Sequence, residues 1–256
     1  MQSNTFSGLF EGQNVITLPQ VDSTNEFLKQ ELSKSTPLDE GTVIMAEEQF
    51  AGKGQQGSTW YSEPSKNLTF SLLLKPSFLL PKHQFRLTMS ISVAVAQWLE
   101  SVLPVPVKIK WPNDLFVENK KIGGILIENV LKGATWKYAI VGVGINVNQT
   151  DFPHMIKERS TSIKLMLHKD SELRTSLAGL CRHIGQTYSM LKSGQFSALL
   201  SNYLRRLYRL GETHSFLVDG VPVQGVLRGV TEHGRLQIDF NGHLADFGLK
   251  EVSFVI

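Results

Sequence analysis

Residues 49–60 read Q-F-A-G-K-G-Q-Q-G-S-T-W, and the nature of this loop decides what the rest of the chain can be. Gly52, Gly54 and Gly57 let the backbone turn tightly and approach a guest without a Cβ in the way. Successive N–H groups in such a turn form an anion-binding hollow. Lys53 adds a full positive charge to it, so a phosphate or carboxylate is the expected guest. The spacing also matches G-x-G-x-x-G, yet a dinucleotide-binding turn has to open a helix aimed at the pyrophosphate. Residues 58–66 run through Pro64 with no helical apolar period, which removes that reading. A Walker A loop fails as well, because Ser58 and Thr59 follow Gly57 where that motif requires Lys and then Ser or Thr.

Strands bracket the loop. Residues 41–47 (G-T-V-I-M-A-E) predict the strand that delivers it, and residues 67–74 (N-L-T-F-S-L-L-L) alternate and then turn wholly apolar, as a central strand does. Upstream, residues 15–18 predict an opening strand that ends at Pro19. Ser23 with Glu26 three residues on is a capping-box pattern, and Phe27, Leu28 and Leu32 give the following helix an apolar side. Ser23, Thr24 and Asn25 therefore stand at a helix N-terminus, where free N–H groups and hydroxyls can also hold a ligand's polar atoms.

Downstream, residues 84–103 carry no proline or glycine and place Leu87, Ile91, Val95 and Leu99 four apart, which predicts a long core helix. Residues 107–111 (V-K-I-K-W) alternate as a half-buried strand until Pro112-Asn113-Asp114 breaks it. After residues 115–117, a hairpin turn is expected at 118–121 and a returning strand at 122–128 (I-G-G-I-L-I-E). Gly123 and Gly124 there, and Gly142 and Gly144 in residues 139–147 (A-I-V-G-V-G-I-N-V), clear space on a sheet for a close approach, with Asn146 offering an amide. Leu173 to Leu191 keep a helical period, and residues 196–210 predict a second helix ended by Gly211. Short alternating runs then follow at 214–218, 221–228, 234–240 and 249–255. Asp219-Gly220, His233-Gly234 and Asn241-Gly242 divide them. These predict a small all-β unit of about 45 residues that packs on the main one, so the expected division is 1–210 and 211–256.

At 256 residues the chain can bury one large core beside this appendage. Apolar residues at 41% and charged residues at 19% are an ordinary globular balance, and no run reaches the roughly 18 apolar residues of a membrane span. The first twelve residues lack the basic end and apolar core of a signal peptide, so a cytoplasmic location is expected. A net charge of +3 without a basic stripe gives no case for nucleic acid. The single Cys181 excludes an intrachain disulfide and any multi-cysteine metal site, and the seven histidines follow no zinc spacing. No tightly bound metal is expected.

Five blocks taken together resemble the biotin protein ligases: S-T-N at 23–25, Q-x-A-G-K-G-x-x-G-x-x-W at 49–60, K-W-P-N-D at 110–114, K-I-G-G-I-L-I-E at 121–128 and G-V-G-I-N-V-N at 142–148. They stand in the family's order and spacing, and the match covers nearly the whole chain. The resemblance implies an α+β fold, with a mixed β-sheet packed against helices (class II synthetase-like, the biotin–lipoate ligase fold) and a small C-terminal SH3-like β-barrel. It implies an enzyme that activates biotin with ATP and Mg²⁺ as biotinyl-5′-AMP and transfers it to a lysine of a biotin carboxyl carrier protein domain, as a monomer or homodimer. Members that also repress transcription carry a winged-helix domain before the S-T-N block. Here 22 residues precede Ser23, so the monofunctional type is expected.

By the resemblance, Lys121 bridges the biotin carboxylate and the α-phosphate, and Lys53 lines the loop that closes over the adenylate. These two anions repel, so cations and N–H groups must converge where they meet. Ser23, Thr24 and Gln49 are implied to meet the ureido ring, with Asn25, Gly52, Gly54, Gly123, Gly124, Gly142 and Gly144 in the same site and Trp60 as its apolar wall. Lys110, Asn113, Asn146, Gln55 and Gly57 fall to the ATP side, and Asp114 to Mg²⁺, which favours one or two carboxylates plus substrate oxygens. Many members carry arginines where this chain has Lys53, Gln55 and Gln56. Lysine cannot grip phosphate bidentately, so a looser hold on the adenylate is expected. Lipoate and octanoate transferases share the broader fold, but the arginine-rich block and the histidine flanking their glycine run are missing here. Retention of Lys53 and Lys121 argues against a non-catalytic sensor.

Overall fold

Period-two alternation builds the main sheet, and its two faces meet different helices. The computed structural model describes residues 2–6, 13–34, 38–133 and 135–255, and for 2–6, 13 and 56 the backbone alone. Residues 1 and 7–12 of the stretch read as lacking a leader, and the Gln56 side chain, lie outside the described residues. The first half runs β1 (Gln2–Phe6), β2 (Gln13–Val21), α1 (Thr24–Glu31), β3 (Val43–Gln49), β4 (Leu68–Leu74), α2 (Gln84–Val102), β5 (Lys108–Lys110), β6 (Asp114–Val117), β7 (Lys120–Lys132) and β8 (Thr135–Ile145). Four helices follow: α3 (His154–Lys157), α4 (Ile163–Leu167), α5 (Leu173–Lys192) and α6 (Phe196–Arg206). Strands β9 (Thr213–Val218), β10 (Val221–Val230), β11 (Leu236–Phe240), β12 (His243–Phe247) and β13 (Val252–Phe254) complete the order.

Eight strands form one mixed sheet in the order β1-β2-β3-β4-β8-β7-β6-β5, with β2 and β3 parallel and the other neighbours antiparallel. On one face Leu68, Phe70, Leu72 and Leu74 of β4 join Leu87, Ile91, Val95 and Leu99 of α2 in the main core, where Cys181 and Ile184 of α5 also lie. On the other face α1 packs Leu28 against Leu18, Ile44, Leu73 and Ile140. Helix α6 is tied to α2 by a bidentate pair: Arg206 donates from Nε and Nη2 to Glu100, at 3.1 and 2.6 Å. Its guanidinium is buried, while Glu100 is 30% exposed. Glu100→Ala leaves that cation without its carboxylate, with only its Nη1 bonds to Asn202, and is expected to cost about 2 kcal/mol, less than breaking a fully buried pair. A thermal melt should show this as a fall in Tm of about 4–8 °C.

Several boundaries differ from the pattern read in the sequence. Strand β2 does not stop before Pro19 but runs to Val21. The β1 partner reaches only Thr17, so no ladder on that side needs the missing proline N–H. The hairpin turn shrinks to Glu118 and Asn119, both at positive φ as a two-residue type I′ turn requires, and Lys120 already belongs to β7. Helix α6 ends at Arg206 rather than Leu210, because Tyr208 donates its N–H to the Ile109 carbonyl and joins the chain to edge strand β5.

The C-terminal strands form a five-stranded antiparallel sheet, β12-β11-β10-β9-β13, one strand more than expected. The extra one is β12, an edge strand whose Leu244 is exposed, so its apolar alternation carries little signal. This sheet seats on the first through Trp111, whose indole N–H donates to the Gly234 carbonyl at 2.8 Å. Gly234 sits at φ +81°, and Phe85 fills the space its Cβ would need.

Candidate functional site

Small residues on the α1 face of the sheet form the floor of a cleft. Ladder register puts Thr69, Gly144 and Gly124 in one row across β4, β8 and β7, and Ser71, Gly142 and Leu126 in the next. A Cβ on Gly142 would stand 2.5 Å from Asn25 Oδ1, and one on Gly144 would collide with the Trp60 indole. Both glycines therefore make room first for side chains of the protein itself. Gly124 opens directly beside Asp114 and Lys121, its Cβ position lying 3.3 and 3.5 Å from their Oδ1 and Nζ. Gly123 points to the opposite face, against Ile145, and does not join the cleft.

The N-terminus of α1 forms one wall. Ser23 has N-cap geometry, but its hydroxyl makes no cap bond, so the expected capping box does not form. Instead the Thr24 N–H donates to Gln49 Oε1 at 3.0 Å, which ties the helix start to the mouth of the loop. Asn25 donates from Nδ2 to Glu128 Oε2 at 2.8 Å and accepts from Ser71 Oγ at 2.6 Å. The Ser71 and Thr24 hydroxyls also lie 2.7 Å apart. Ser71 and Glu128 were not singled out from the sequence. Their signals were there: Thr69 and Ser71 are two apart in an otherwise apolar strand, and Glu128 closes the K-I-G-G-I-L-I-E block.

The glycine loop forms the opposite wall. Gly52 lies under Trp60, and its missing Cβ would strike the Trp60 carbonyl, to whose N–H the Gly52 oxygen is bonded at 2.9 Å. Lys53, Gly54 and Gln55 line the cleft, whereas Gly57 turns away at φ +83° with open space around it. Lys53 Nζ is 3.0 Å from Glu26 Oε2, a hydrogen bond that holds its pKa above the ordinary lysine value. Glu26, read as a capping residue, is thus the loop lysine's counter-ion.

Lys121 stands where this cleft meets a second cavity. Its Nζ is 2.7 Å from Asp114 Oδ1 and 5.7 Å from the centre of the Trp60 ring, and all three residues line both spaces. Its backbone is held by Lys121 N–H to Arg159 O at 2.8 Å and Thr161 N–H to Lys121 O at 3.0 Å. Lys110 and Asn146 line only the second cavity, and Asn113 only the first of the two. Both asparagine amides are already engaged: Asn113 donates to the Ile125 carbonyl, and Asn146 to the Thr161 carbonyl at 3.0 Å. A guest anion spanning both cavities would pass within reach of Lys121.

A family model for the biotin/lipoate A/B protein ligases matches residues 17–146, just over half of the chain. The chain belongs to the biotin/lipoate A/B protein ligase family. Within it, the bifunctional ligase/repressor BirA of Bacillus spizizenii is 35% identical over 175 residues, 68% of this chain and 52% of its own length. A biotin–[acetyl-CoA-carboxylase] ligase of Paracoccus denitrificans is 26% identical over 223 residues, covering 86% of this chain and 91% of that one. The biotin protein ligase of Aquifex aeolicus in complex with biotin and ATP aligns with a TM-score of 0.80 at 30% identity, over 94% of this chain and 98% of that one. The chain spans about half the length of the Bacillus relatives it matches. The α+β architecture expected for a ligase-family member, with its mixed sheet on helices and a C-terminal β-sheet unit, is the one observed.

Proposed function

We propose that this chain activates biotin with ATP as biotinyl-5′-AMP and passes it to a lysine of a biotin carboxyl carrier protein domain. Lys121 carries the reading, because its ammonium sits on the wall shared by two cavities of different character. The first offers a small-residue floor with Thr24 and Gln49, suited to an uncharged ring with a carboxylate tail. The second holds Lys110, Lys121 and Arg159, suited to phosphates. A carboxylate from one side and an α-phosphate from the other meet at Nζ, where preorganised positive charge offsets their repulsion. The names of the relatives support biotin as the acid and a carboxylase as acceptor, and the Aquifex complex supports ATP.

In the first step a biotin carboxylate oxygen attacks the α-phosphorus while the bond to the bridging oxygen breaks and pyrophosphate leaves. The acceptor amine then attacks the acyl carbon, the acyl–phosphate oxygen bond breaks, and AMP leaves as the amine sheds a proton. No side chain is acylated, so residues 1–210 act by positioning and charge, with 211–256 as the SH3-like unit. Asp114 is one half-buried carboxylate at the junction, a donor set that fits Mg²⁺ held chiefly by substrate phosphates. That ion would supply further charge neutralisation. No described helix is long and apolar enough to cross a membrane, and we place the reaction in the cytoplasm.

The test is biotin-dependent exchange of labelled pyrophosphate into ATP, run beside lipoate and octanoate. Exchange with biotin alone is expected. Exchange driven by lipoate would replace the proposed acid, and exchange with none of the three would remove the ligase reading.

A further inference from the structure

Two polar groups stand behind the wall of the first cavity without lining it. Ser71, fully buried in β4, and Glu128, half-buried on β7, both touch Asn25, which does line it. Asn25 can face one way only. Its Nδ2 donates to Glu128 Oε2 at 2.8 Å and to the Leu126 carbonyl at 3.3 Å, two groups that only accept, so its Oδ1 faces Ser71 Oγ at 2.6 Å.

The Ser71 hydroxyl has one proton and two acceptors within reach, that Oδ1 and Thr24 Oγ1 at 2.7 Å. Which of them receives it decides what Thr24 shows to a guest. Glu128 forms no ion pair among the described residues, so its carboxylate acts on the Asn25 amide. A charged acceptor polarises the amide and strengthens its oxygen as an acceptor in turn. The Ser71 proton is therefore drawn to Asn25, and Thr24 Oγ1 keeps a free lone pair. Thr24's own proton has a partner in Gln49 Oε1 at 3.4 Å, the atom that also accepts from the Thr24 N–H. Thr24 thus meets the cleft as an acceptor, and Gln49, its oxygen occupied, meets it with its Nε2 donors.

We infer that Glu128 and Ser71 are positioning residues that set the specificity for the acid: relayed through Asn25, the Glu128 charge fixes Thr24 Oγ1 as the acceptor of a ring N–H. This rests on the biotin reading and deepens it. A cyclic urea offers an N–H and a carbonyl to this acceptor and donor, whereas the dithiolane ring of lipoate offers neither. A site built around such a bond rejects the analogue that lacks it, because its own polar groups are left unpaired. The direct field of Glu128 has the opposite sign. One carboxylate repels another, so removing its charge would by that route tighten the hold on the biotin carboxylate.

The test is calorimetric titration of the full chain with biotin and with its two carbamate analogues, each having oxygen in place of one ring N–H. Glu128→Gln keeps the shape and an oxygen for Asn25 but loses the charge. It should weaken biotin about fivefold, leave one of the carbamates unaffected and leave Tm unchanged. In a Ser71→Ala background, which cuts the relay, Glu128→Gln should cause no further loss. Unchanged or tighter biotin binding in Glu128→Gln overturns the relay, and equal losses for all three ligands make Glu128 merely structural. A fivefold loss that persists in the Ser71→Ala background assigns the effect to another route and overturns the relay as well. Wild-type and variant proteins that show the expected pattern, yet exchange no label with any acid, keep the relay and remove the ligase reading.

Discussion

Replacing Lys121 by alanine is expected to slow biotin adenylation by about 10²-fold or more, roughly 2.7 kcal/mol of transition-state stabilisation. Among the described residues its side chain is the only cation that lines both cavities. Its removal also leaves Asp114, now 2.7 Å from a cation, as bare negative charge facing two further anions. The fold should survive, since the bonds to Arg159 and from Thr161 use the Lys121 backbone. Single-turnover formation of the adenylate isolates the chemical step from acceptor binding. An unchanged rate in Lys121→Ala would falsify the bridging role, and a rate loss matched by a collapse in Tm would assign Lys121 to structure instead.

The glycine loop, the S-T-N helix start and the two glycine-bearing strands were legible because each needs a residue type that local physics restricts. Only glycine fits where the Trp60 backbone crosses Gly52 or where the indole crosses Gly144. What alternation and glycine content could not convey was the identity of the neighbour. Gly123 and Gly124 are adjacent in sequence, yet period-two geometry sends one toward Ile145 and the other toward Lys121. Ser23 and Glu26 met the capping pattern, but Glu26 is paired with Lys53, a partner 27 positions away that no local rule supplies. Arg159 had no signal at all: an arginine beside a short helix looks like any solvated cation until the Lys121–Ser160 bridge brings it to the site. Edge strand β12 was missed for a related reason, since an exposed leucine and a half-buried alanine do not mark an inner face.

Gly142→Ala should lower stability by about 3 kcal/mol and weaken biotin about 10²-fold at once, because the added methyl meets Asn25 rather than empty cleft. The new Cβ would lie 2.5, 3.0 and 3.1 Å from Oδ1, Cγ and Nδ2 of Asn25, so the whole amide must move and not merely a flexible tip. Asn25 is buried on the first turn of α1, bonded through Nδ2 to Glu128 and through Oδ1 to Ser71. Displacing it breaks its bonds to Ser71 and to the half-exposed Glu128, leaving Ser71 only its Thr24 contact, at about 1–3 kcal/mol in all beyond the steric clash. The shift passes along the Ser71–Thr24 contact to the Thr24–Gln49 bond, which is how a floor residue reaches the proposed ureido contacts. Were Gly142 open to the ligand instead, alanine would weaken biotin and leave Tm unmoved. A double-mutant cycle separates the two: Asn25→Ala removes the obstruction, so Gly142→Ala added to it should cost about 2 kcal/mol less than it does alone. Additive losses would mean that the two side chains do not meet. Gly144→Ala supplies the contrast, because its methyl meets the half-buried Trp60 indole in the cleft wall and not the Asn25 network, so its loss of biotin affinity should be unchanged by Asn25→Ala.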